Sequence, residues 1–271
     1  GSESTQAARR YMLNQIADQL HEMGYRKMST RSLKPKHIEA LVEHWKKQEL
    51  STGTIKNRMN VLRWWAARLE RSNVIARSND HYGIPERTFV CNASKAKQVD
   101  QTDLAKVRDP HVRMSLELQQ AFGLRREEAI KFRPNYAIKN DHIKLKASWT
   151  KGGRARTVPI RTDEQRKILG EVRKLAKGGA LIPPSKNYED QKIRYDSQVR
   201  TAAIKNPHGL RHAYAQRRYE ELTGWKAPVA GGPASKSLRS DQRALDKGAR
   251  ETISQELGHS REQISATYLG R

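Results

Sequence analysis

Four short stretches of this 271-residue chain gather the side chains that could act on an anionic substrate. They are Gly123-Leu124-Arg125-Arg126-Glu127-Glu128, Thr150-Lys151-Gly152-Gly153-Arg154, His208-Gly209-Leu210-Arg211-His212 and Leu257-Gly258-His259-Ser260, with Tyr268 nine residues after His259. Arginine holds its donors in a planar fork and never loses its charge, which suits it to phosphate oxygens. Histidine takes or gives a proton near neutral pH. His208 and Arg211 are three residues apart, so one face of a helix can present both to one pocket. A phenol, with an ordinary pKa of about 10, needs a strongly cationic site before it acts as a nucleophile. Each stretch alone has a plainer explanation: a surface arginine, a hairpin turn, a solvated His-Arg pair, a helix ending at glycine before a Ser260 cap, or a packing tyrosine. Five such coincidences in one chain are hard to accept.

The elements that must position these groups are legible from periodicity. Leu, Ile, Val and Phe make up 50 residues, about 18%, a share that with high net charge borders on the disordered range. Apolar spacing nevertheless argues for folding. Between Thr5 and Met23, Ala8, Met12, Ile16, Leu20 and Met23 recur at helical steps, and Gly24 stands where a helix would stop. A second helix should start near Pro35, with Ile38, Leu41, Val42 and Trp45 on one side. A third should run from about Thr54 to Leu69 and bury Ile55, Met59, Leu62, Ala66 and Leu69, leaving Lys56, Asn60 and Arg63 on its outer face as candidate phosphate contacts. Residues 77–101 lack sustained periodicity, and 96–101 read as a linker between a helical domain, 1–95, and a second domain, 102–271. In the second domain, helical signal over 102–132 gives way to three short strands, at 136–139, 142–146 and 156–160. Thr162 and Gln165 form a capping box for a helix reaching about Ala176. Helix returns past Asn206, interrupted by a Gly- and Pro-rich loop at 223–240.

Charge narrows the partners. Lys and Arg number 53 against 29 acidic residues, a net +24. The first 95 residues carry 17 basic and 9 acidic groups, and the rest 36 and 20, so both halves are basic, as suits a two-part clamp on a duplex. Nucleic acid is the first candidate partner and an acidic membrane surface the second. No apolar run approaches a membrane span. No signal peptide opens the chain, and Gly1-Ser2 looks like the residue of a removed tag. The single cysteine, Cys91, excludes an internal disulfide and a Cys-rich zinc site. No acidic cluster with two-metal spacing and no glycine-rich phosphate loop is present, so no metal and no cofactor is expected.

In their order along the chain, the four stretches and Tyr268 resemble the tyrosine recombinase (phage integrase) family, closely over 102–271 and more loosely over 1–95. The resemblance implies a mainly α fold with a small antiparallel β-sheet. An N-terminal SAM-like helical core-binding domain would precede a mixed α/β catalytic domain. It further implies that Tyr268 attacks a phosphodiester, leaving a 3′-phosphotyrosyl link that conserves the bond energy, so that strands rejoin through a Holliday junction without ATP. Arg125, Arg211 and His259 would hold the phosphate, and His208 would assist Tyr268. Lys151, on its hairpin turn, would protonate the leaving 5′ oxygen. Glu128 and His212 would support the site, and Arg154 would join Lys56, Asn60 and Arg63 in contacting DNA. The implied partners are a double-stranded recombination site, a dimer or tetramer on DNA, and accessory DNA-bending or directionality proteins. The implied setting is the cytoplasm of a bacterium or a phage host, with integration or excision of a mobile element as the outcome. A type IB topoisomerase, or a DNA-binding protein that retains the fold, are the rival readings.

Two features depart from that family's pattern. Arg211 and His259 are 48 residues apart, an unusually long gap whose surplus is the 223–240 loop and part of the helix after it. Segment 223–250 has six basic and two acidic residues, so it is expected either to touch DNA or a neighbouring protomer, or to be a surface insertion without a role. Only Leu269, Gly270 and Arg271 follow Tyr268, where relatives carry a tail that docks on the next subunit.

Overall fold

Proline, glycine and small polar residues cut the chain into helices that pack as two units, Gly1–Thr88 and Phe89–Arg271. The computed structural model describes residues 3–87, 90, 93–150, 152–259 and 262–271, without the side chains of Ser4, Glu262 and Gln263. The first unit comprises helices α1 (Glu3–Glu22), α2 (Pro35–Lys47) and α3 (Thr52–Arg68). Pro35 at the first position presets the φ of α2, and the Lys34 N–H donates to His37 Nδ1 at 3.1 Å. Ser51 Oγ accepts the Thr54 N–H at 3.2 Å to open α3. The expected stripes on α2 and α3 are buried, with Leu41, Trp45, Met59 and Leu62 wholly enclosed, except that Leu69, just past the end of α3, is half-buried. Trp45 Nε1 donates to Gln19 Oε1 at 2.9 Å, tying α2 to α1. The stripe on α1 is shorter than its periodicity suggests: Ile16 and Leu20 are buried, but Ala8 is exposed.

The second unit contains α4 (Gln101–Lys106), α5 (Pro110–Phe122), α6 (Arg126–Ile130), α7 (Pro134–Ala137), β1 (His142–Leu145) and β2 (Arg156–Pro159). It continues with α8 (Asp163–Ala176), α9 (Tyr188–Thr201), α10 (Gly209–Thr223), α11 (Ser240–Glu256) and α12 (Ala266–Leu269). Its main core centres on Phe122, Phe132, Ile143, Val158, Tyr214 and Ile253, which join α5, the sheet, α10 and α11. The capping box closes as expected, with Gln165 N donating to Thr162 Oγ1 at 3.1 Å and Thr162 N to Gln165 Oε1 at 3.2 Å. The fold is mainly α with one small antiparallel sheet, in register from His142 opposite Pro159 to Leu145 opposite Arg156.

Two expectations are corrected. The strand expected at 136–139 is instead the end of α7, because Pro134 at its first position favours a helical turn. Only Ile138 reaches the sheet, in a single antiparallel bridge to Ile143. Residues 96–101 do not behave as a linker. Lys97 N donates to Gly209 O at 3.0 Å, and Val99 exchanges two hydrogen bonds with the Gln120 amide, at 2.8 and 3.1 Å. With its backbone satisfied and Val99 buried, this segment belongs to the second unit. The Gly- and Pro-rich stretch between α10 and α11 is held by two short 3-10 helices, Pro228–Ala230 and Ser235–Ser237, and Ala227 and Leu238 are buried. Among the described residues, no helix is long and apolar enough to cross a membrane.

Candidate active site

The site forms where the ends of α5, β2 and α11 meet the first turn of α10 and the last turn of the chain. Gly123 ends α5 in the left-handed region (φ 63°), and a Cβ there would lie 2.6 Å from the Tyr214 ring. Only glycine lets the chain turn so close to α10, and the turn delivers Arg125 to the start of α6. Gly258 does the same after α11 (φ 69°), where a Cβ would meet Arg156 Cδ at 2.7 Å. Both motif glycines therefore serve the approach of site side chains.

Arg211 is the hub. Its side chain is wholly buried, its Nη1 donates to Gly123 O at 2.6 Å and its Nη2 to Leu257 O, so two helix-end carbonyls fix the guanidinium. Its Nε donates to the Tyr268 hydroxyl at 3.2 Å, and Nη2 lies 3.4 Å from His259 Nε2. Burial lowers its pKa to about 10, which leaves it charged at neutral pH. Because arginine only donates, His259 presents the Nε2 lone pair toward it. Burial and the charges of Arg211, Arg125 and Arg156 push the His259 pKa down to about 3.

Tyr268 is buried on α12 among three imidazoles, with ring centroids 4.6 Å from His212, 5.6 Å from His259 and 6.3 Å from His208. His208 caps α10 at the exposed mouth of the site, and His212 is buried one turn further along. Desolvation, then Arg211 and Arg125, lower the His208 pKa below its ordinary value. Burial and His208 bring that of His212 to about 4. All three rings are thus neutral at pH 7, so none carries an extra proton to supply.

Glu128 is fully buried and organises the cationic side. It accepts from the Arg125 backbone N–H at 2.7 Å and from Arg125 Nη1 at 3.0 Å. It also accepts a two-pronged contact from Arg156, at 2.6 and 2.7 Å. Burial alone would raise its pKa, but the Arg156 hydrogen bonds and charge, with Arg211 and the Arg125 N–H, bring it down to about 2. Arg156 also donates through Nε to Glu256 O at 2.8 Å. Motif reading missed Arg156. The signal was there: it shares the inward face of its strand with Val158, an unusual place for a charge.

The structure thus brings Arg125, Arg211, His208, His259, Tyr268, Glu128 and His212 together. Lys151 and Ser260 lie outside the described residues. Arg154 is exposed beside the turn that Thr150 closes by donating to Ala147 O (3.0 Å) and Arg154 O (2.7 Å). On α3, Asn60 is exposed and Lys56 half-buried. Arg63 is spent within its own unit, donating to Ala76 O at 3.1 Å and Asn79 Oδ1 at 2.9 Å, so it closes a loop rather than presenting a free fork.

Comparison with known families gives two matches. A model described as phage integrase, N-terminal, matches residues 1–74, and one described as integrase matches residues 86–217. The chain belongs to the phage integrase family of tyrosine recombinases. Among solved structures, this integrase resembles a lambda integrase dimer bound to a COC' core site (TM-score 0.62, 13% identity, covering 100% of this chain and 91% of that one). It also resembles the Tn1549 transposon integrase in complex with circular intermediate DNA (TM-score 0.59, 14% identity, 100% and 91% coverage). A third match is XerH site-specific recombinase in a post-cleavage complex on a palindromic difH substrate (TM-score 0.59, 15% identity, 96% and 73% coverage). At these identities the likeness is one of fold. In sequence, no curated protein matches the integrase.

Proposed function

We propose that this integrase cleaves and rejoins duplex DNA at specific sites through a 3′-phosphotyrosyl intermediate on Tyr268, acting as a dimer or tetramer to integrate or excise a mobile element. The observation that carries the reading is the Tyr268 hydroxyl, 3.2 Å from Arg211 Nε inside a cage of guanidinium and imidazole groups of the same chain. In the reaction, the phenolic oxygen bonds to phosphorus as the P–O5′ bond breaks. The phenol proton goes to neutral His208 at the mouth of the site, and the Lys151 ammonium gives its proton to the departing oxygen. Arg125, Arg211 and His259 meet the charge that builds on the non-bridging oxygens. Return is the reverse: a 5′ hydroxyl attacks the phosphotyrosyl phosphorus and Tyr268 recovers its proton. The charge balance, with basic residues in large excess, suits a polyanionic partner.

The test uses a pool of randomised duplexes, each nicked so that cleavage releases a short end and traps the adduct. Wild type should form a detergent-resistant protein–DNA adduct through Tyr268 on a 3′ phosphate, and sequencing the trapped DNA identifies the site. Tyr268→Phe should bind duplex and form none. An adduct that persists in that variant, or that maps to a 5′ end, overturns the proposal. Two differently labelled duplexes carrying the trapped site should then yield joint products; relaxation of a supercoiled plasmid without joint products would mark a topoisomerase instead.

A further inference from the structure

The helix that carries Tyr268 is a single turn, too short to hold its own conformation, so its neighbours must set where the phenol points. Two carbonyls flanking the phenol are tied down. Tyr268 O accepts from Gln216 Nε2 on α10 at 3.1 Å, and Gly270 O accepts from Arg250 Nη1 on α11 at 3.0 Å. Arg250 is buried and uses every edge of its guanidinium, since Nε donates to Asp246 Oδ1 at 2.8 Å and Nη2 to Ser235 Oγ at 3.1 Å. Asp246 in turn accepts from the Tyr219 hydroxyl at 2.5 Å and from Ser235 Oγ at 3.3 Å. One arginine therefore joins α11, the ordered 224–239 connection and the residue two places after the nucleophile. The same connection also touches that residue directly. Gly270 has φ 75°, and a Cβ on it would lie 2.9 Å from Val229 N, so the Pro228–Ala230 turn packs against the bare Cα.

We infer that Arg250, with the 228–235 part of the extra chain between α10 and α11, is a clasp that positions Tyr268 in the site of its own chain. The inference rests on Tyr268 being the nucleophile. It gives the long interval between Arg211 and His259 a purpose: the added residues are the floor under the tyrosine segment, and Arg250 is the tie. Arg250 is a positioning residue, acting through Gly270, and its guanidinium makes no contact with the phenol's reacting oxygen.

Nitration by tetranitromethane, read residue by residue by mass spectrometry on the DNA-free full chain, tests the clasp without relying on activity. Tyr11, 72% exposed, reports full access, and the core residues Tyr195 and Tyr214 report an intact fold. In wild type, Tyr268 should be protected like the core tyrosines. Arg250→Met should raise its nitration about tenfold, as expected for loss of one hydrogen bond to a charged group, and Gly270→Ala should raise it independently through the clash of its Cβ with Val229 N, while Tyr195 and Tyr214 stay protected. If Arg250→Met opens the core because Asp246 loses its partner, Gly270→Ala decides, since it leaves that pair in place. Single-turnover adduct formation on the trapped duplex should fall in step with deprotection. Tyr268 as protected in the variants as in wild type overturns the clasp. So does deprotection with an unchanged cleavage rate, whereas the nucleophile assignment is judged separately by Tyr268→Phe. A wild type that forms no adduct overturns both.

Discussion

Replacing Arg156 by Met should unsettle the whole cationic side of the site, and the size of the effect can be worked from Glu128. That carboxyl has a pKa of about 2 against an ordinary 4.5. The gap of about 2.5 units, at 1.36 kcal/mol each, means the folded unit favours the charged form by about 3 kcal/mol. Arg156 is the largest favourable contributor to that value, and removing one partner from a buried ion pair costs about 3–5 kcal/mol, which is of the same order. Arg156→Met leaves Glu128 with Arg125 alone in direct contact and frees Glu256 O as well. The sign with pH follows from a depressed carboxylate pKa. The stabilisation is complete above about pH 4.5, where the unfolded carboxyl is charged, and drains away as pH falls toward 2.

Hydrogen exchange of the α6 and β2 amides reads this local free energy without requiring both units to unfold together. At pH 7 the variant should lose about 3 kcal/mol of protection relative to wild type. At pH 3 the difference should shrink to about 1 kcal/mol, because the unfolded Glu128 carboxyl is by then protonated and only about one pKa unit of stabilisation is left in wild type. A Glu128→Gln/Arg156→Met double variant should recover part of the loss, since no unpaired charge stays buried. A loss under about 1 kcal/mol at pH 7, or one equal at pH 7 and pH 3, would refute the reasoning.

Other outcomes follow from the same geometry. Arg211→Ala should slow single-turnover cleavage at saturating DNA by about 10²–10³-fold, with EDTA without effect on wild type; near-normal cleavage would assign Arg211 to structure alone. Lys151→Ala should slow cleavage of ordinary DNA yet be restored by sulfur at the 5′ bridging position, because a thiolate leaves without a proton; no restoration removes Lys151 as the acid. His212 and His259 have pKa values near 4 and 3, below the ordinary 6.5, so their contribution to stability is complete above about pH 6.5 and declines as pH falls toward those values. Burial is the first cause of both depressions, and at His259 the charges of Arg211, Arg125 and Arg156 add to it; a phosphate in the cage offsets those charges, so DNA binding near pH 5 should take up protons through His259. Calorimetry in buffers of different ionisation enthalpy measures this, and zero uptake between pH 5 and 8 contradicts it.

What could be read from the sequence was what depends on near neighbours. The Pro35 start, the Thr162–Gln165 box and the Ala176 end of α8 rest on contacts within a turn, and all three stand as expected. The grouping of Arg125, Arg211, His259 and Tyr268 was legible only through resemblance, since those residues span most of the second unit. Side chains whose role depends on distant partners were opaque. Arg156 meets Glu128 across 28 positions and Glu256 across 100, and Arg250 meets Gly270 across 20, so although strand alternation turns Arg156 inward, no local pattern names the partners of either. Arg63 shows the reverse error: its spacing on α3 put it on an outer face, but Ala76 and Asn79 fold back to occupy it.

The hub arginine raises a question about order of events. A guanidinium has five N–H donors, and Arg211 commits one to Gly123 O, one to Leu257 O, one to the Tyr268 hydroxyl and one toward His259. Two-pronged binding of a phosphate needs two donors, so one present acceptor must yield. Gly123 and Leu257 are backbone carbonyls at the ends of α5 and α11, and moving them would disturb the core. The Tyr268 hydroxyl sits on a one-turn helix and is the acceptor most readily given up. On the proposed mechanism, in which His259 stays to meet the phosphate, the phosphate takes the Nε donor from the phenol, and Tyr268 is freed to line up with phosphorus when the substrate arrives. It follows that Tyr268→Phe, which leaves that donor empty, should bind the uncleaved site more tightly than wild type, by about 1 kcal/mol or several-fold in Kd. Titration of the trapped duplex, made without its nick, measures this. Binding weaker than wild type by a similar factor would mean that the phenol supports the phosphate instead of holding its place.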